Sequence, residues 1–135
     1  MRQKLNMESI QKLNLFSRIT GVRTKNFFTY NNCMVFVVLP NLMQRALGDR
    51  GENIRKLCRA LNSKVRIIPY SHLGPFVRFI VYPVRFKKII NERGEVIIIA
   101  GGQAKASLIG RNKVRVNELG EILKQYFEIK SLRII

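Results

Sequence analysis

Ala46-Leu47-Gly48-Asp49-Arg50-Gly51-Glu52-Asn53-Ile54-Arg55-Lys56-Leu57 is the stretch on which the reading of this chain turns. It joins two helical runs through a tight Gly-x-x-Gly loop. The second run carries an apolar stripe, Ile54, Leu57, Cys58 and Leu61, at helical spacing, with Arg55, Lys56 and Arg59 on its polar side. Glycines reach backbone conformations closed to other residues, and a phosphate can approach them without meeting a Cβ. The start of the following helix adds unpaired N–H groups and the positive end of the helix dipole. Taken alone, Gly-x-x-Gly is a common spacing, and a plain helix-helix turn explains it as well as an anion clamp does. Its surroundings decide between the two.

Toward the N-terminus, Ile10, Leu13, Phe16 and Ile19 place one apolar stripe on a helix over about Met7 to Thr20, which Gly21 stops. Two β-rich runs follow, Lys25 to Tyr30 and Cys33 to Leu39, separated by Asn31-Asn32, residues that tolerate the left-handed conformation of a tight hairpin. After Pro40 comes a short helical turn, Asn41 to Leu47. Beyond the loop a helix runs from Glu52 to about Asn62, and a strand from Lys64 to Tyr70 closes the unit. The order is helix, two strands, two helices, strand, which is α+β.

That order repeats. Gly110-Arg111-Asn112-Lys113 follows the first loop at an offset of 62 residues (110 − 48), and the rest of the chain can be tested at that offset. Ile19 then matches Val81, Val35 matches Ile97, Val37 matches Ile99, Leu47 matches Ile109, Ile54 matches Val116, Leu57 matches Leu119 and Leu61 matches Leu123. Hydrophobic class is kept while identity is lost, as in a duplicated unit whose core positions are constrained in kind. In the second half Asn91-Glu92-Arg93-Gly94 reads as the hairpin turn, and Gly101-Gly102 leads into the short helix. The last strand, about Ile129 to Ile135, falls about one residue out of register. Tyr70-Ser71 leaves almost no linker, and a new helix begins near His72 or Gly74 with Pro75 in its first turn. Two units, residues 1–70 and 71–135, held rigidly, are expected.

With loop, order and repeat in hand, the chain resembles the KH domains in their bacterial and archaeal (type II) arrangement. Ala46 to Leu57 looks very like the first KH module of archaeal NusA-like transcription termination and antitermination factors, and Leu108-Ile109-Gly110-Arg111-Asn112 looks like their second loop. The resemblance covers nearly the whole chain. It implies an RNA clamp in which each groove holds about four nucleotides of a single strand. Carried onto this sequence, the first clamp is Gly48, Asp49, Arg50 and Gly51, supported by Asn53, Arg55 and Lys56, with Arg66 on the strand Val65-Arg66-Ile67 as the groove's other wall. The second is Gly110, Arg111, Asn112 and Lys113, supported by Arg115. Two departures stand out. Asp49 places a carboxylate in the first loop, which repels phosphate unless Arg50 or Arg55 pairs with it, and Lys113 replaces the second glycine of the other loop.

Composition agrees. With 25 Lys+Arg against 8 Asp+Glu, the chain carries +17 over 135 residues. Such an excess is best neutralised by a polyanion, and nucleic acid is the default one. A membrane surface is disfavoured because the basic residues are spread through structured segments. No apolar run approaches a span, and Met1-Arg2-Gln3-Lys4 leads into a polar helix without a signal pattern, so a cytoplasmic protein is expected. Cys33 and Cys58 form no CxxC pair and have no clustered histidines, so no metal is implied. His72 has no catalytic company, the glutamates are scattered, and Gly101-Gly102 lacks the P-loop spacing. No enzyme activity, cofactor or small-molecule substrate is implied. The resemblance points to single-stranded RNA as partner and to nascent transcript at RNA polymerase. The alternatives are a ribosome-associated or ribosome-assembly KH protein bound to ribosomal particles, and a KH scaffold that no longer binds RNA.

Overall fold

A computed structural model describes residues 6–135, so the first four residues read above for a signal lie outside it. The chain divides into two compact units that meet in sequence between His72 and Leu73. Each contains one three-stranded mixed sheet covered by helices.

The first unit opens with α1 (Met7–Thr20), capped by Asn6, whose Oδ1 accepts from the Ser9 N–H at 2.8 Å. Gly21 ends the helix in the left-handed region at φ 73°, its N–H returning to the Ser17 carbonyl. β1 (Asn26–Tyr30) and β2 (Cys33–Val38) form an antiparallel hairpin across Asn31 and Asn32. Both turn residues have positive φ, 51° and 61°, as a two-residue turn matched to strand twist requires. A 3₁₀ turn, Pro40–Leu42, leads into α2 (Met43–Leu47), then the loop, then α3 (Glu52–Leu61). β3 (Lys64–Pro69) returns parallel to β2, giving the sheet order β1-β2-β3.

Strand alternation sorts the side chains. Met34, Phe36 and Val38 of β2, with Val65 and Ile67 of β3, face the helices and pack with Phe16, Ala46 and Leu57. Phe36 is the hub: its ring stacks on Phe16 at 4.4 Å between centroids and on Phe27 at 5.5 Å. Aromatic pairs of this kind add about 0.5–1.5 kcal/mol each beyond area burial.

The second unit repeats the order: α4 (Leu73–Val81), β4 (Lys88–Glu92), β5 (Glu95–Ile99), α5 (Gly102–Ile109), α6 (Val114–Tyr126) and β6 (Ser131–Ile134). Its sheet is β4-β5-β6, again antiparallel then parallel. The hairpin turn is narrower than the four residues expected. Asn91 and Glu92 pair within the sheet, and only Arg93 and Gly94 turn, at φ 54° and 90°, while the Asn91 side chain accepts from the Gly94 N–H at 3.0 Å.

The 62-residue offset holds to the residue for both hairpins and both loops, and fails at the last strand by more than the single residue expected. Arg66 lies opposite Val35, and Arg133 lies opposite Ile97, so the closing strands correspond at 67 residues (133 − 66). The reason is local: α6 has 13 residues where α3 has 10, and the chain takes residues 127–130 before pairing begins.

Candidate functional site

The two loops share one backbone. Gly48 and Gly110 adopt φ/ψ of 74°/177° and 76°/169°, a region essentially reserved for glycine. Arg50 and Asn112 follow in the left-handed region at 53°/33° and 56°/29°, then Gly51 and Lys113 at 70°/24° and 62°/21°. A lysine therefore takes up the left-handed conformation that the first loop gives to glycine. The replacement leaves the loop shape intact and adds a cation.

The first residue of each loop is a glycine for a second, steric reason. A Cβ on Gly48 would come within 2.9 Å of the Asn53 side chain, and one on Gly110 within 2.9 Å of the Arg115 backbone nitrogen and Cβ. Asn53 sits there because its amide donates to the Arg45 and Ala46 carbonyls at 3.3 and 3.1 Å, tying the last turn of α2 to the first turn of α3. Arg55 adds a brace, its Nη1 donating to the Arg50 carbonyl at 2.6 Å. In the second unit Arg115 occupies the place of Asn53 and pairs with Glu118 one turn on. Asn53 and Arg55 thus hold the first loop in shape by hydrogen bonds, and in the second Arg115 packs against Gly110.

Both loops open onto helix N-termini that have no side-chain cap, unlike α1. The Glu52 and Val114 N–H groups that open α3 and α6 donate to the Asp49 and Arg111 carbonyls, so backbone instead of a side chain closes each helix start, with the positive end of the helix dipole behind the loop. The charge around them differs between copies. In the first unit Arg50 stands beside Asp49, and Glu52 occupies the first turn of α3. Neither Arg50 nor Arg55 forms an ion pair with Asp49 among the described residues, and Lys56 is paired instead with Glu52 at 3.1 Å. The second unit has Arg111 and Lys113, both exposed, and no acidic residue in the first turn of α6. On the helices the balance reverses. Exposed Arg55, Lys56 and Arg59 of α3 correspond at 62 residues to Asn117, Glu118 and Glu121 of α6. Positive charge sits on the helix in one unit and on the loop in the other.

Within each unit the sequence-predicted residues gather at the loop and the start of the helix after it, except for Arg66. Val65 and Ile67 face the helices, so Arg66 projects from the opposite face of the sheet, away from the side on which α2 and α3 pack. Arg133 is its counterpart, and sequence reasoning missed it. The signal was present, since Val65-Arg66-Ile67 recurs as Leu132-Arg133-Ile134, but only strand pairing reveals the five-residue shift. Arg59 was noted as basic but left out of the site. It lies one turn after Arg55 and is exposed. Burial pushes the Cys33 thiol above its ordinary value, against the opposing effect of Arg66 and Lys64. Among the described residues no helix is long and apolar enough to cross a membrane, and no group of three or more His, Cys, Asp or Glu could hold a metal ion.

Comparison with known proteins gives this geometry a context. The chain is 24% identical over 140 aligned residues to the probable transcription termination protein NusA of Methanococcus vannielii, spanning all of this chain and 81% of that protein. It is 23% identical over 137 residues to the protein of the same name from Methanocaldococcus jannaschii, spanning 98% of this chain and 75% of that one. The match extends over the full chain, which is a distant homologue of archaeal probable NusA proteins. The homology runs through both units and both loops. No family model matches the chain. Among solved structures, the crystal structure of APE1850 has the same fold, with a TM-score of 0.66 over 97% of this chain and 100% of that one, at 23% identity.

Proposed function

We propose that this chain is a cytoplasmic, non-enzymatic RNA-binding factor that acts in transcription termination or antitermination. It engages single-stranded nascent RNA through two type II KH domains, residues 1–70 and 71–135. One observation carries the reading: the same left-handed loop occurs twice, each time opening onto a helix N-terminus without a side-chain cap in a chain of net charge +17. Each such loop lets a phosphate approach its glycine backbone at the positive end of a helix, and a polyanion is the ligand that suits both. The order helix, two strands, two helices, strand, with its parallel closing strand, supports the type II KH reading. The transcription role, and RNA polymerase as protein partner, rest on the homology.

In the first clamp Gly48 to Gly51 receive the backbone, Asn53 and Arg55 keep the loop in shape, and Lys56 and Arg59 extend the basic surface along α3. In the second, Gly110 to Lys113 receive the backbone, Arg111 and Lys113 supply charge, and Arg115 packs against Gly110 while paired with Glu118. The second loop is the stronger phosphate grip of the two, because Asp49 and Glu52 oppose an anion at the first.

Fluorescence anisotropy with a short unstructured RNA over a salt series tests this. Log affinity should fall linearly with log salt at about −0.7 per phosphate neutralised. Arg111→Ala with Lys113→Ala should reduce that slope by about 1.4 and weaken binding more than Arg50→Ala does. Absence of RNA affinity at low salt would leave the chain as a scaffold. Co-sedimentation with ribosomal particles instead of co-purification with polymerase would move its site of action.

A further inference from the structure

The first unit carries a second concave surface that the loop does not use. It is a cleft of about 910 Å³ bounded by the last turns of α1, the connection from α1 to β1 and the end of β2, with Tyr70 after β3 at its rim. Its floor is apolar, the exposed Leu39 and Tyr70 adding to the little that the buried Leu13, Val37 and Val38 present. Around it stand Arg18, Arg23 and Lys25, all exposed, and no carboxylate is part of the lining. Leu39, 59% exposed, extends the apolar surface outward.

We infer that this cleft binds a nucleotide of the same RNA strand beyond those held at the loop, its phosphates on Arg18, Arg23 and Lys25 and its base on the apolar floor. The inference rests on the RNA-binding reading above. Charge complementarity selects the occupant: three cations with no opposing acid favour an anion, while an apolar floor of this size favours one that carries a flat hydrophobic part. A nucleotide has both, and base faces pack on apolar and aromatic side chains without sequence preference.

Two further observations support the assignment. The duplicated unit keeps only part of this surface: Arg23 and Lys25 correspond at 62 residues to Arg85 and Lys87, while Asn14, Ser17, Arg18 and Thr24 correspond to Phe76, Phe79, Ile80 and Phe86. Three of these last four are buried, so the full polar lining is a feature of the first copy. Second, the cleft and the loop are connected through α2. A Cβ placed on Gly21 would lie 3.6 Å from the Arg45 guanidinium, so α2, which carries the loop at its C-terminal end, meets the connection that carries Arg23. Arg45 is exposed.

The experiment compares the full chain with an Arg18→Ala/Arg23→Ala/Lys25→Ala variant, binding a tetranucleotide and a twelve-nucleotide unstructured RNA. A Lys88→Ala/Arg93→Ala/Lys130→Ala variant, which loses the same charge elsewhere, is the control. All six positions are exposed, and circular dichroism checks that the fold is kept. The tetranucleotide, filling one KH groove, should bind the cleft variant and the control alike. The twelve-nucleotide RNA should bind the cleft variant on the order of tenfold more weakly than the control, with a salt slope smaller by about 2. 4-Thiouridine crosslinks in the longer RNA should map to peptides containing Leu39 or Tyr70. Equal binding of the longer RNA by the cleft variant and the control, or crosslinks confined to the two loops, would overturn the inference while leaving the loop clamps standing. Failure of the unaltered chain to bind either RNA would overturn the RNA-binding reading and this inference with it.

Discussion

Replacing the loop glycines one at a time by alanine should produce a steep ranking, Gly110 and Gly48 far above Gly51. At Gly48 two costs combine. The φ/ψ of 74°/177° lies where a side chain costs about 1–3 kcal/mol. The new Cβ would also meet the Asn53 side chain at 2.9 Å. Moving Asn53 aside loses its hydrogen bonds to the Arg45 and Ala46 carbonyls, at about 1 kcal/mol each. Against this, alanine restricts the unfolded chain and returns about 0.4–1 kcal/mol. The net loss is about 3 kcal/mol. At Gly110 the obstacle includes a backbone nitrogen, which cannot swing away, so the loss is at least as large. At Gly51 the left-handed φ of 70° costs about 1–2 kcal/mol, and the nearest atom to a new Cβ, Arg55 Nη1, is 3.9 Å off. After the unfolded-state gain the net is about 1 kcal/mol. Urea unfolding followed by circular dichroism measures all three. Gly48→Ala should lower the midpoint by about 1 M or more, and Gly51→Ala by a third of that. A Gly51→Ala loss equal to that of Gly48→Ala would refute the steric argument, and with it the claim that Lys113 leaves the second loop's shape unchanged.

The other predictions concern charge, core and thiol. Asp49→Asn removes a first-loop carboxylate that has no ion-pair partner among the described residues and should raise RNA affinity a few-fold at low salt, an effect that vanishes at high salt as screening sets in. A persistent gain at high salt would mean that Asp49 acts by shape. Phe36→Ala takes away the hub of the first core, fully buried and stacked on two rings, and should cost about 3–5 kcal/mol in thermal or urea unfolding. A loss under 1 kcal/mol would show that the core does not centre on it. Because burial raises the Cys33 thiol, its thiolate fraction at neutral pH is lower than that of a free thiol. Iodoacetamide should modify it more slowly than a model thiol at pH 8, with the rate still climbing at higher pH. A rate equal to the model thiol's would contradict the burial.

Much of this architecture was legible before any coordinates. The periodicity of Ile10, Leu13, Phe16 and Ile19, the Asn31-Asn32 turn and the Gly-led loops are local signals, and the elements formed where they pointed. The duplication was legible as well, because core positions recur at 62 residues through both hairpins and both loops. What the sequence could not carry was anything decided by partners distant in the chain. The closing strand's true register depends on the extra turn of α6, which periodicity extends without saying where pairing resumes. Arg66 read as a groove residue from its neighbours in sequence. Its direction is set by which face of the sheet Val65 and Ile67 bury, and that is a tertiary choice.

The functional residues divide in the same way. That the chain is basic, duplicated and built around two glycine-led loops is determined by the sequence, since charge, repetition and backbone freedom are properties of residue types in order. That Asn53 and Arg55 turn toward the first loop to hold it, that Asp49 finds no cation among the described residues, and that Arg18, Arg23 and Lys25 gather around an apolar floor were decided by the fold. Side chains of one type face solvent, neighbour or ligand according to what packs beside them, and only tertiary structure specifies that neighbourhood.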